Sequence, residues 1–212
     1  AVGADGFTPR GGPGAWVPTD PATAPSQPAL GEARTFLVGP GAVEVPRPPA
    51  LGSAAYRDDL AEVRALGRRT GSERTPEQTG TALFWADDSL TLYTQVLRGL
   101  LAQDAARPLA ERVRLVAVLH QVTTDAQVAC FALKYAEQRW RPVTAIHEAA
   151  PDGTAIPDGD PRTVPDPDWE PLLATPSHPE FPSAHTVYAG AAEVVLDALA
   201  GTPATPVRVT VE

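Results

Sequence analysis

Proline divides this chain more sharply than any other residue type. Ten of its 24 prolines fall in residues 1–50 and nine in 151–182, whereas only Pro76, Pro108 and Pro142 fall between 51 and 150. A proline removes a backbone donor and clashes with the preceding turn, so neither proline-rich stretch can hold a long helix. Residues 1–50 are therefore expected as an extended arm packed on the domain, and residues 151–182 as a long loop. A loop of that length inside a compact domain is usually functional. The proline-poor middle is left to form helices.

The apolar spacing there is helical. Tyr56, Leu60, Val63 and Leu66 recur at three- and four-residue steps, predicting a helix over 53–67. Thr75-Pro76-Glu77-Gln78 is a capping box with proline at the first helical position. It opens a helical region running to about Gln103, interrupted near Asp87-Asp88. The longest pattern covers 109–139 and is apolar around most of its circumference from Val113 to Leu133, which predicts a central, buried helix. Ser183 caps a last helix with the stripe Val187, Ala191, Val194, Val195, Ala198 and Leu199, ended by Gly201 and Pro203. Residues 206–212 alternate like a short strand. The fold class expected is all-α, a helical bundle comprising residues 51–212 with the 1–50 arm laid on it.

Charge and composition narrow the partners. A net charge of -9 and a pI near 4.9 argue against nucleic acid or an anionic membrane surface. No apolar run approaches the ~18 residues of a membrane span. Cys130 is the single cysteine and lies in an apolar run, so it reads as a buried, inert thiol. The chain begins Ala-Val-Gly-Ala, which fits a processed, secreted or extracytoplasmic protein, or a trimmed one.

Against this acidic background there is one lysine beside sixteen arginines. Lys134 stands seven residues before Arg141, in Lys134-Tyr135-Ala136-Glu137-Gln138-Arg139-Trp140-Arg141-Pro142. Both could share a helical face. Because a residue before proline avoids the α region, the helix is instead expected to end or kink around Arg139 to Arg141 and to turn Arg141 into a pocket. Arginine offers an oxyanion a planar fork and lysine a compact charge. The plainer alternative is two cations complementing a helix C-terminus. Some forty residues on, Pro182-Ser183-Ala184-His185 opens a helix. The Ser183 hydroxyl and the Ala184 N–H can bind an anion, and His185 can move a proton. Plain N-capping with an incidental histidine is the alternative.

Other polar residues carry less. His120 reads as a core histidine, and His147 and His178 as solvated. Four scattered histidines make no zinc motif. Asp125, inside the apolar helix, needs a partner, either an arginine or a hydroxyl such as that of Thr124.

These motifs, taken in order, resemble the vanadium-dependent haloperoxidases and the related type 2 phosphatidic acid phosphatases, and in particular soluble bacterial haloperoxidase-like proteins. The likeness runs through Trp16-Val17-Pro18-Thr19, Arg74-Thr75-Pro76-Glu77-Gln78-Thr79 and Phe84-Trp85. It continues in Thr124-Asp125-Ala126, Lys134-Tyr135, Trp140-Arg141-Pro142-Val143-Thr144-Ala145-Ile146 and Trp169-Glu170-Pro171-Leu172, and ends with Phe181-Pro182-Ser183-Ala184-His185. The resemblance implies a helical bundle around an oxyanion site that holds vanadate, or phosphate in the same place. Lys134 and Arg141 would neutralise its oxygens, Ser183 and the Ala184 N–H would bind equatorial oxygens, and His185 would be the acid–base residue. The implied reaction is oxidation of halide by hydrogen peroxide. On the phosphatase branch it is hydrolysis of a phosphate ester through a phosphohistidine. Relatives often form homo-oligomers.

Two departures stand out. Ala184 replaces the usual glycine of Pro-Ser-Gly-His, a change that keeps the N–H. The third family motif, Ser-Arg-x5-His, does not occur before Glu212, so the histidine that ligates vanadium is expected beyond it. The chain therefore looks truncated at its C-terminus, and residues 1–212 alone are expected to bind vanadate weakly and not to turn over. Three functions follow: a vanadate-dependent haloperoxidase, a soluble acid phosphatase on the same scaffold, or a non-catalytic helical domain if the native chain ends near residue 212.

Overall fold

A computed structural model describes residues 7–42, 45–148, 165–201 and 205–210. Residues 149–164, which include 151–164 of the proline-rich loop expected over 151–182, lie outside the described residues, as do Val211 and Glu212 of the expected strand. Among the described residues there are six α-helices and no strand. They are α1 (Ala54–Leu66), α2 (Pro76–Trp85), α3 (Ser89–Gln103), α4 (Leu109–Glu137), α5 (Pro142–His147) and α6 (Ala184–Leu199). Short 3-10 turns occur at Leu30–Glu32 and Pro40–Ala42.

Helix starts follow their local chemistry. Ser53, Asp88 and Ser183 sit in extended conformation at the N-caps of α1, α3 and α6, and each side chain accepts an N–H of the first turn. Such a cap contributes about 1 kcal/mol. The break expected near Asp87-Asp88 is the Asp88 cap, where α2 gives way to α3.

The chain divides into two compact units. The first comprises Ala1–Leu30, Glu44–Pro76 and Phe131–Pro182. Within it α1 packs on α5, and Tyr56, Trp140 and Ala145 are buried together, flanked by Leu51 and Leu60. The arm adds Trp16, which is fully buried with Phe7 and Tyr135 ranged around its ring. Backbone bonds tie it down: Trp16 N–H donates to the Gln138 carbonyl at 2.7 Å and Trp140 N–H to the Gly14 carbonyl at 2.9 Å. Trp169 is buried as well, its indole N–H donating to the Arg64 carbonyl at 3.0 Å. Nearby, Asp166 accepts from Arg68 at 2.6 Å.

The second unit comprises Gly31–Val43, Glu77–Cys130 and Ser183–Glu212. Its core joins Leu97 of α3, Leu115 and Leu119 of α4, and Tyr188, Ala192 and Val195 of α6. Each large aliphatic side chain there stabilises the fold by about 1.5–3 kcal/mol. The buried face of α6 coincides only in part with the expected stripe. Val195 and Leu199 of that stripe reach the core as expected, Tyr188 and Ala192 join them, and Val194 is 68% exposed. The start of α4 also departs from expectation, since Leu109 and Val113 are exposed. Residues 206–210 show the expected alternation, with Val207 and Val209 half-buried and Arg208 and Thr210 exposed, but they form no strand. Their partner is α3. The Gln103 and Gln95 side chains exchange bonds with the backbone of Thr205 and Thr210, and Val207 rests where Gly99 leaves room for it.

Contrary to the expectation that no apolar run approaches a membrane span, α4 is by length and composition apolar enough to cross a membrane. Its buried residues are packed against protein, and the polar ones among them, Thr123, Asp125 and Lys134, all have protein hydrogen bonds.

Candidate functional site

In the first unit the site residues are set by the way α4 stops. The helix ends at Glu137, earlier than the Arg139–Arg141 break expected from Pro142. Gln138 adopts φ 49°, the left-handed conformation that terminates helices, and its N–H still closes on the Lys134 carbonyl at 2.8 Å. Arg139 then bridges to Ala15. Arg141 is extended at φ -79°, ψ 151° as the N-cap of α5, with Pro142 next. That is the conformation its place before a proline demands. Lys134 and Arg141 thus lie on different helices, and their side chains converge on one segment, residues 178–180.

Lys134 is 1% exposed. Its Nζ donates to the carbonyls of Pro179 and Glu180, each at 2.9 Å. Arg141, also buried, donates through Nε to the His178 carbonyl at 2.7 Å and through Nη1 to the Glu180 carboxylate at 2.7 Å. Its Nη2 meets His178 Nδ1 at 2.8 Å. A guanidinium can only donate, so Nδ1 must accept there. The same nitrogen lies 3.0 Å from the Pro179 carbonyl, which can only accept, and the shorter arginine contact decides the assignment. His178 is therefore not a solvated histidine. It is half-buried, edge-on to Phe131 with ring centroids 5.5 Å apart, and bonded to Arg141. Sequence reasoning misses the parts played by Glu180 and His178, because no periodicity marks a residue whose role comes from a loop folding back.

Tyr135, beside Lys134 in sequence, donates its hydroxyl to the Ser26 carbonyl of the arm. Burial pushes this phenol up to about 12, against the opposing pull of the Arg141 charge.

In the second unit, α6 opens with the other candidates. Ser183 Oγ accepts from the Thr186 N–H at 3.4 Å and from the Thr186 hydroxyl at 3.1 Å. Its own proton is thereby directed to some other acceptor. Ala184 is the first helical residue, so its N–H has no intrahelical acceptor. Its carbonyl accepts from Gln127 Nε2 at 2.9 Å. His185 is exposed, with Nε2 3.3 Å from the Asp87 carbonyl. A carbonyl cannot donate, so Nε2 carries the proton in that contact. Lys134 and Arg141 thus belong to one compact unit, and Ser183, Ala184 and His185 to the other.

Several other polar residues depart from expectation. Asp125 is paired with neither an arginine nor Thr124, which is exposed. Its carboxylate accepts the backbone N–H groups of Phe36, Leu37 and Val38 at 2.8, 2.7 and 3.2 Å. Burial alone would raise its pKa, but the three N–H bonds outweigh burial and hold it below the usual carboxylate range. His147 is half-buried and donates from Nε2 to the Trp169 carbonyl at 2.5 Å, so it is not solvated either. His120 is half-buried on α4 rather than a core residue. Cys130 is buried, as an inert thiol should be. Among the described residues no three His, Cys, Asp or Glu side chains gather as metal ligands.

The donor chemistry of each unit suits a tetrahedral oxyanion such as vanadate or phosphate. One unit supplies two buried cations with five charge-assisted bonds to their surroundings. The other supplies a hydroxyl proton, helix-start N–H groups and an imidazole.

Comparison with known proteins agrees with this chemistry. Residues 114–212, a span that includes all five candidates, match the family described as the VCPO second helical-bundle domain. The chain is 28% identical over 172 residues to vanadium chloroperoxidase of Curvularia inaequalis, covering 68% of this chain and 27% of that protein. Its fold is similar to the crystal structure of a bacterial vanadium-dependent iodoperoxidase, with a TM-score of 0.67 at 23% identity, over 89% of this chain and 45% of that one. The chain therefore spans less than half the length of either relative. By its helical-bundle match, its sequence likeness and its fold together, the chain is similar to the vanadium haloperoxidases.

Proposed function

We propose that the protein carrying this chain is an enzyme that oxidises halide with hydrogen peroxide at an oxyanion served by Lys134, Arg141, Ser183, the Ala184 N–H and His185, with vanadate as the cofactor. The observation that carries this reading is the buried Lys134–Arg141 pair trained on residues 178–180, within the segment that matches the family. Burying an ammonium and a guanidinium is costly, and replacing such charges with well-packed apolar residues is often neutral or stabilising. A ligand that needs them explains why they are kept.

The residues divide the work. Lys134 and Arg141 would balance the charge of the oxyanion. Their donors are held in place by the carbonyls of residues 178–180, and the Glu180 carboxylate fixes the guanidinium plane. The Ser183 proton and the first N–H groups of α6 would bind oxygens. His185 would hold or move a proton at Nε2, the atom that now meets the Asp87 carbonyl. Vanadate, when bound, supplies Lewis acidity for activating peroxide.

The test is an assay of the full protein that carries this chain with orthovanadate, peroxide and bromide, following bromination of a dye. Bromination that needs vanadate and is lost in Arg141→Ala and His185→Ala is expected. Hydrolysis of a phosphate ester with no bromination would make the protein a phosphatase on this scaffold. Bromination unchanged by both substitutions would remove these residues from the reaction.

A further inference from the structure

The first unit contains a cavity of about 220 Å3 whose lining includes none of the five candidate residues. Its walls come from three segments: the arm prolines Pro48 and Pro49; Tyr56, Asp59, Leu60 and Val63 of α1; and the Arg139–Pro142 turn with Ala145. Glu180 and Phe181 complete it. An apolar cavity of about 150 Å3 already accepts a benzene ring, so this one has room for a single substituted ring.

The lining is mostly flat and apolar. Tyr56, Trp140 and Phe181 offer ring faces or edges, and the prolines offer rigid flat sides. The Arg139 guanidinium lies over the Tyr56 ring, 5.3 Å from its centroid, and also donates to the Pro49 carbonyl. That cation is already engaged on both sides. The other charged groups at the wall are the carboxylates of Asp59 and Glu180, which can only accept when ionised. Trp140 is 3% exposed, and its indole N–H is buried with no acceptor among the described residues. Two carboxylates against one committed guanidinium disfavour an anionic ligand, and the apolar walls disfavour a bare charge of either sign.

We propose that this cavity binds a neutral, planar aromatic alcohol, a phenol whose ring stacks between the proline and aromatic walls and whose hydroxyl donates to Asp59 or Glu180. Glu180 also holds Arg141 at 2.7 Å, so the cavity and the cation pair share a residue. Binding here is independent of whether halide is oxidised, and can be read without vanadate or peroxide.

The experiment is a fluorine NMR titration of the unmodified chain with 4-fluorophenol and, separately, 4-fluorobenzoate. Saturable binding of the phenol is expected, with the benzoate about tenfold weaker or worse. Val63→Phe, which fills the cavity from α1, is expected to weaken phenol binding about tenfold. Pro48→Trp fills it from the arm and serves the same purpose should Val63→Phe not fold. Asp59→Ala is expected to weaken the phenol about threefold and leave the non-donor fluorobenzene unchanged. No saturation by the phenol, equal binding of the benzoate, or phenol binding indifferent to a folded cavity-filling variant would each overturn the proposal. Phenol binding by this chain, with no bromination by the full protein that carries it, would sink the halide-oxidising reading alone, and bromination without phenol binding would sink only this one.

Discussion

Each unit buries charge on or beside α4, and the two do so in opposite ways. In the second unit the anion Asp125 is saturated by three consecutive backbone N–H groups of residues 36–38. In the first, the cations Lys134 and Arg141 are held by carbonyls of residues 178–180, together with the His178 imidazole and the Glu180 carboxylate. A carboxylate enclosed by three fixed donors has little left to offer a ligand. Its role is to pin the proline-rich segment that turns Phe36, Leu37 and Val38 outward. Lys134 donates to neutral carbonyls, and Arg141 to a carbonyl, an imidazole and the Glu180 carboxylate, which offsets part of its charge. Proximity to α4 does not separate the two arrangements. The sign of the charge and the groups facing it do.

The sharpest way to break this contrast is Arg141→Ala. It removes the partner of a half-buried carboxylate and of His178, and should destabilise the first unit by about 3 kcal/mol. Denaturant unfolding, with hydrogen exchange at residues 178–180, would show it. A loss below about 1 kcal/mol would mean that the loop is held by something else. Next in size is Asp125→Asn. Water can reach the N–H groups of exposed residues 36–38, so the loss should be about 2 kcal/mol rather than three full charged bonds. The pH dependence has a definite sign. Because the folded carboxyl titrates below its unfolded value, its contribution is complete above the ordinary carboxylate range and is lost as pH falls through the folded value. Asp125→Asn should flatten that acid limb of the stability curve.

Lys134→Met keeps side-chain volume and removes charge. It should lower vanadate or phosphate affinity about tenfold by calorimetry, and Asp125→Asn should leave that affinity unchanged. Equal effects from the two would erase the distinction drawn between them. The smallest effect is that of Tyr135. Its folded pKa is raised to about 12, so its contribution is complete below the unfolded value near 10 and is lost between about 10 and 12. Tyr135→Phe should remove that alkaline slope, read by thermal melts across the range.

Much of this architecture is legible in the amino-acid sequence. The proline distribution marks where helices can run, the Ser53, Asp88 and Ser183 caps follow from residue type and neighbours, and Arg141 has to be extended because Pro142 follows it. The features that the sequence hides share a cause. Asp125 is answered by backbone N–H groups, which carry no sequence identity. His178 and His147 find partners that depend on how loops return. On α6 two nearly equal apolar faces exist, and only packing against α3 and α4 selects the one through Tyr188, Ala192 and Val195. In residues 206–210 the alternation is real, but a strand also needs a neighbouring strand, and glutamines on α3 take that place instead.

Gln138 shows how such choices couple. Glycine would suit φ 49° better, by about 1 kcal/mol. Yet its side-chain amide oxygen accepts the Arg10 N–H at 2.7 Å, and its carbonyl accepts from Trp16. Gln138→Gly would relieve the backbone and release one tether of the arm, two changes of similar size and opposite sign. Total stability would hardly move while the arm loosened, so this one position can adjust the mobility of residues 7–16 without altering how firmly the helices stand.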